Sequence, residues 1–259
     1  MADLSPTVVG LLLLAALAAG FVDAVVGGGG LVQIPALLLA LPGAAPIQVL
    51  ATNKLASFCG TSVAAATYLR RARPDRFTFL PLMTLAFVGS LGGALVATHI
   101  PRAAFVRVLL VVLVVVGGYV ALTPQLGART ALRFSGRRHV VAAMLTGLVV
   151  GFYDGALGPG TGSFLVLTLV GLLGYDFVQA SANARLANWA TNLAALCVFV
   201  PQGAVLWGLG LGMGVANLVG GYLGARTAVA RGAGFVRVFL LCVVAAFVVR
   251  LAGGMLGVW

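Results

Sequence analysis

Gly20-Phe21-Val22-Asp23 runs into four consecutive glycines, Gly27 to Gly30. At an offset of 131 residues, Gly151-Phe152-Tyr153-Asp154 runs into Gly158-Pro159-Gly160-Thr161-Gly162. The same offset carries Lys54-Leu55-Ala56 onto Arg185-Leu186-Ala187. An acid, a glycine break and a base therefore recur as a set, embedded in apolar sequence both times. A duplicated chain that interrupts its apolar segments at matching places has the pattern of a secondary transporter, and the breaks point to where a substrate sits. Val88-Gly89 and Gly93-Ala94 align with Val219-Gly220 and Gly224-Ala225 at the same offset, and Phe105-Val106-Arg107 aligns with Phe235-Val236-Arg237 at 130. Close helix packing in a membrane explains small residues singly, but not several matches sharing one offset. The reading is two repeats, residues 1–128 and 129–259.

Composition names the solvent. Of the 259 residues, 61% are hydrophobic and only 8% charged, against the roughly 25% with which a soluble domain covers its surface. Apolar runs of the ~20 residues that cross a bilayer recur from end to end. The first run, from Thr7, lacks the basic leader of a cleavable signal and is read as part of the fold. The net charge of +11 does not mark a nucleic-acid binder. The arginines cluster in short loops between apolar runs, as positive-inside loops do, where anionic lipid headgroups attract them. Cys59, Cys197 and Cys242 lie in apolar runs without metal-ligand spacing and read as small packing residues. His99 and His139 fall at segment ends and read as structural.

Ten helices are expected, over 7–26, 31–41, 46–69, 77–99, 103–122, 140–157, 162–174, 177–200, 203–227 and 234–257. Those at 31–41 and 162–174 are too short to cross at 1.5 Å per residue, so they are half-helices or returning limbs of hairpins. An odd number of net crossings per half inverts the second half. It collects loops 70–76, 123–139 and 226–237, with most of the arginines, on one side, and leaves Arg102 alone on the other. An even number scatters them. The expected fold is therefore an all-α polytopic bundle of two inverted repeats, with both termini outside the cytoplasm. Re-entrant hairpins and paired crossings at 7–41 and 140–174 satisfy this equally.

The chemistry concentrates at the duplicated set. Lys54, the one lysine, and Arg185 each sit mid-run, where an ionised base is a functional hypothesis by default. Lys54, Ser57 and Thr61 share a helical face, as do their repeat partners Arg185, Asn188 and Asn192; Asn53 and Asn183 adjoin them. Cations flanked by hydroxyl and amide donors suit an oxyanion, and in lipid such a stripe must face the protein interior. Gly28, Gly29 and Gly30, and Gly160, Thr161 and Gly162, each precede a half-helix, whose free N–H groups and positive dipole end attract anions. Glycine turns let those groups converge. Asp23 and Asp154 are the acids of the long runs, each 31 residues before a base. Ion pairs Asp23–Lys54 and Asp154–Arg185, within each half, are expected when the site is empty. A buried acid beside a cation can also exchange protons, which leaves proton coupling open. No phosphate loop, catalytic triad, H-E-x-x-H or haem-binding pair occurs, so no enzyme, metal or cofactor is expected.

At these residues the chain resembles a known family. G-F-V-D-A-V-V-G-G-G-G-L with A-T-N-K-L, and G-F-Y-D-G-A-L-G-P-G-T-G-S-F with A-S-A-N-A-R-L-A-N-W-A-T-N, are similar to the TauE/SafE sulfite exporters, closest to their YfcA-like branch, from about Val9 to about Leu251. The resemblance implies a permease for small sulfur oxyanions or organosulfur anions such as sulfite and sulfoacetate. Arg185 stands where many members carry lysine, which replaces a point ammonium with a planar fork. The competing expectation is a membrane assembly or sensor subunit that kept the fold.

Overall fold

The computed structural model describes residues 4–99 and 130–255. The helix expected at 103–122, and with it Arg102 and the match at 105–107, lies outside the described residues. Helices account for nearly all the rest: α1 Pro6–Val26, α2 Gly29–Ala40, α3 Pro46–Arg71, α4 Arg76–Ala97, α5 Gly136–Ala156, α6 Thr161–Thr168 continued by a π-helical turn Leu169–Leu173, α7 Phe177–Phe199 and α8 Trp207–Met255. Among the described residues there is no strand.

Local chemistry explains the ends. Ser5 accepts from the Val8 N–H and Pro6 opens α1, where its missing donor costs nothing. Gly27 closes α1 in the left-handed region at φ 87°, returning its N–H to Asp23 and Val22 carbonyls. Asp75 caps α4 and Asp176 caps α7 through backbone N–H groups. Two acids outside the duplicated set are thus helix caps.

The stretch Trp207–Met255 is two helices, as expected, meeting at a kink where Gly232 leaves the helical region at φ 75°, ψ −171°; only the loop expected over 228–233 shrinks to that one residue. Charge there suggests a loop, but Ala228-Val229-Ala230-Arg231 contains good helix formers, and a single glycine makes the bend. The stretch also begins later than residue 203, because Gly203 at φ 65° folds back on the end of α7 and the Leu206 N–H is held by Thr52 Oγ1 at 3.2 Å.

The arrangement inverts the pattern of a soluble bundle. α1, α4 and α5 are long and apolar enough to cross a membrane, and they turn Leu11, Leu14, Leu80, Leu95 and Val149 outward. α3 and α7, which carry the polar stripes, bury those stripes inside the bundle. They run antiparallel: the α3 start meets the loop after α7 through Thr52, and the α3 end accepts from Gln179 Nε2 at the α7 start, 2.9 Å from the Ala72 carbonyl.

Each short helix returns beside its predecessor. His139, near the start of α5, meets Tyr175, just past the end of α6, at 3.0 Å, and Thr78 Oγ1 contacts both, at 3.0 and 2.8 Å. The Ala131 N–H donates to the Gly174 carbonyl at 2.7 Å. The segment from α5 to α6 therefore begins and finishes at one end of the bundle. Val8, Leu12 and Leu13 of α1 share a cluster with Leu37, Leu38 and Leu41 at the end of α2, so the first hairpin closes likewise.

The halves interlock. α1 lies along α8, and α4 along α5. A Cβ at Gly89 would collide with the Leu148 carbonyl, and one at Gly220 with the Leu17 carbonyl; the next atoms are the Phe152 and Phe21 nitrogens, at 2.8 and 2.9 Å. The offset of 131 carries Gly89 onto Gly220, Leu17 onto Leu148 and Phe21 onto Phe152. One contact therefore occurs twice with the halves exchanged. Glycine is required at both places because lipid supplies no hydrophobic drive between helices, and association depends on close backbone approach.

Candidate functional site

The two glycine breaks meet in the middle of the bundle. The Ser163 N–H donates to the Gly27 carbonyl at 3.2 Å, and Ser163 Oγ to the Val26 carbonyl at 2.9 Å. A Cβ on Gly27 would strike the Gly162 backbone. Left-handed conformations fall at Gly27 (φ 87°), Gly158 (φ 90°) and Gly160 (φ 81°). Gly28, Gly29 and Gly162 do not need positive φ; Gly29 and Gly162 are glycines because no side chain fits. Gly29 abuts Asp23 and Ala19, and Gly162 abuts Gly27 and the Arg185 guanidinium.

Both buried bases find acids, but not those of their own half. Lys54 Nζ lies 2.5 Å from Asp154 Oδ2, and Arg185 Nη1 lies 3.3 Å from Asp23 Oδ2. The expected pairs Asp23–Lys54 and Asp154–Arg185 are thus replaced by crossed ones. Symmetry hid this: the 31-residue spacing within each half is equally compatible with either pairing, and it is the interlocked packing that brings each hairpin's acid to the other half's base. Arg185 Nη1 also donates to the Asp23 carbonyl. Asp23 further accepts from the Gly29 N–H on Oδ1 and Asn188 Nδ2 on Oδ2, both at 3.3 Å.

Between the pairs lies a narrow polar cavity. α3 contributes Asn53, Lys54 and Ser57, and α7 contributes Asn188 and Asn192. Asp23, Gly27 and Gly30 come from the first break, and Asp154, Gly158, Thr161 and Gly162 from the second. The free space holds about one water. Asn53 Oδ1 and Asn192 Nδ2 here have no partner, and behind the cavity wall neither do Nε and Nη2 of Arg185. Buried polar groups are normally satisfied, so this set has unused hydrogen-bonding capacity.

Other expected site residues stand apart from the cavity. Arg185 lies behind Asp23 and Gly162. Thr61 donates to the Ser57 carbonyl of its own helix at 2.7 Å, and Asn183 Nδ2 to the Gln179 carbonyl at 2.8 Å. Gly28 and Gly160 are the N-caps of α2 and α6, with no side chain capping them; Gly29 gives its N–H to Asp23. Gly27 and Gly158 line the cavity although the motifs alone do not mark them as ligands. Their equivalence at the repeat offset was the available signal. Gln33 and Asn217, buried and joined at 2.9 Å, had no signal, because neither has a polar repeat partner. Cys59 is half-buried, whereas Cys197 and Cys242 are exposed, so only Cys59 fits a packing role. Among the described residues, no cluster of three metal-ligating side chains occurs.

The chain is similar to known proteins over nearly all of its length. Residues 12–251 match the family model of the sulfite exporter TauE/SafE. The chain is 37% identical over 251 residues to a "Probable membrane transporter protein ORF9" of Sinorhizobium sp, covering 97% of this chain and 95% of that one. It is 36% identical over 249 residues to the "Probable membrane transporter protein YfcA" of Escherichia coli strain K12, covering 95% and 90%. A "Probable membrane transporter protein" of Haemophilus influenzae is 36% identical over 223 residues, covering 85% and 84%. No solved structure matches the chain.

Proposed function

This chain belongs to the sulfite exporter TauE/SafE family, and from that premise we propose that it is a secondary transporter of small anions in the bacterial inner membrane. The substrates are sulfur oxyanions or organosulfur anions of the sulfite and sulfoacetate kind, moved by alternating access. Repeats 1–128 and 129–259 are related by a pseudo-two-fold axis in the membrane plane. The observation that carries this reading is the polar cavity where the two glycine breaks meet, closed by two ion pairs that each join the two halves. In the empty protein the acids occupy the bases. An arriving anion takes an acid's place, and the amides of Asn188 and Asn192, the Ser57 hydroxyl and the break N–H groups complete its shell. A charge-assisted hydrogen bond is worth about 1.5–3 kcal/mol, enough to bias two states whose contacts differ by one ion pair.

The test is ligand-dependent stability. Purified protein heated with sulfite, thiosulfate or sulfoacetate should melt at a higher temperature than with acetate or no addition, because binding to the native state stabilises it by mass action. A protein unmoved by all of these over the millimolar range is not an anion transporter of this class, and a non-transporting subunit then becomes the better reading.

A further inference from the structure

The two ion pairs differ in depth and in their relation to the cavity. Lys54 lies eight residues from the start of α3 and Arg185 eight from the start of α7. Because these helices run antiparallel, the bases sit toward opposite ends of the bundle, separated along it by on the order of 10 Å at 1.5 Å per residue. Lys54 lines the cavity with its partner Asp154. Arg185 does not: Gly162 presses on its guanidinium, and Asp23 stands between it and the free space.

We infer that the two crossed ion pairs are two gates in series, and that Lys54 alone receives the anion. Lys54–Asp154 closes the end that carries the α3 N-terminus. Arg185–Asp23 closes the end that carries Arg70, Arg71 and Arg73. This rests on the transporter reading above and divides labour within it. An anion reaching Lys54 displaces Asp154 and so unties one end, while Arg185 holds Asp23 across the other. The unused Nε and Nη2 of Arg185 have no route to the anion in this closed state. Arg185 is accordingly a positioning residue, not a ligand. Both gates are shut here, which accounts for a cavity with room for about one water.

The experiment uses Ser57→Cys, which places a thiol on the cavity wall, in a chain whose Cys59, Cys197 and Cys242 are replaced by alanine. A membrane-impermeant thiol reagent is applied to vesicles of each sidedness. With both gates intact, labelling should be slow from either side. Asp154→Asn should raise it at least about tenfold from the α3 N-terminal side only. Arg185→Ala, or the milder Asp23→Asn if that variant is poorly folded, should raise it as much from the arginine-rich side only. Opening to the same side, to both sides, or not at all overturns the two-gate assignment, as does fast labelling of the parent. In parallel, sulfite-dependent thermal shifts assign the ligand. Lys54→Ala should weaken apparent affinity by at least about tenfold, and Arg185→Ala by less than about threefold, given the worth of a charge-assisted contact. Equal losses, or a larger loss at Arg185, overturn the role of Lys54 while leaving the transporter reading standing. A parent protein that sulfite does not stabilise overturns both.

Discussion

Lys54 and Asp154 approach to 2.5 Å with only 2% of either side chain exposed, and this contact ties charge to stability. Removing one member of a buried pair leaves the other uncompensated and costs about 3–5 kcal/mol, whereas replacing both with apolar residues of similar volume is often neutral. Lys54→Ala should therefore lower the melting temperature markedly, and Lys54→Met combined with Asp154→Leu should restore most of it. The double variant should show no anion-dependent shift. Recovery of stability without binding separates the structural role of the pair from its chemical one, and the same thermal melt measures both. A double variant that still responds to sulfite would remove Lys54 from the binding set. Arg185 is also fully buried, but it has a second, backbone partner at the Asp23 carbonyl, so its loss disturbs the end of α1 as well as the charge balance.

Among the helices and their turns, glycine does two different jobs. Gly89, Gly93, Gly220 and Gly224 allow backbones to touch, and any side chain there meets a carbonyl. Gly89→Leu should force α4 from α5 and give aggregated protein in size-exclusion chromatography. Gly10, where an added methyl would meet nothing within 4 Å, should accept alanine with unchanged or slightly higher stability, since alanine favours helix by about 1 kcal/mol. Gly30 is the informative case. It lines the cavity, and a Cβ there would lie 3.2 Å from Pro159 Cα, close enough to require a shift of a few tenths of an ångström but no rupture. Gly30→Ala should stay monodisperse and lose anion affinity by a few-fold, read by thermal-shift titration. Native affinity in that variant would place the anion away from the breaks. Gly27 and Gly162 cannot serve this test, because each occupies the space the other would need.

For the molecule as a whole, the interlock of α1 with α8 and of α4 with α5 means that neither half encloses its own polar stripe. Arg70 and Arg71 in the last turn of α3, with Arg73 just after it, lie at the same end as Arg133, Arg137 and Arg138 around the start of α5, the two brought together by the contact of Thr78 with His139. From the positive-inside rule we propose that this end faces the cytoplasm. A reporter fused to the C-terminus that matures only outside the cytoplasm should then be active, and one that works only inside should be silent. The reverse result would overturn the proposed orientation while leaving the helical packing untouched.

The sequence by itself determined that the chain is a helical membrane protein, where nearly every described helix lies, that two short helices follow glycine breaks, and which side chains are too polar to face lipid. Those conclusions follow from local quantities: run length, charge and turn residues. The sequence also carried the duplication, because an offset of 131 is visible without any fold. What it left undecided was pairing. Asp23 and Lys54 have the same spacing as Asp154 and Arg185, so one-dimensional symmetry could not say whether an acid serves its own half or the other. Only the tertiary structure decided this, by threading each hairpin against helices of the opposite repeat. The same threading placed Asn53, Lys54, Ser57, Asn188 and Asn192 on one cavity and left Thr61, Asn183 and Arg185 outside it. Helical periodicity puts residues on a face, but the depth at which two antiparallel faces meet is set by close packing along their length.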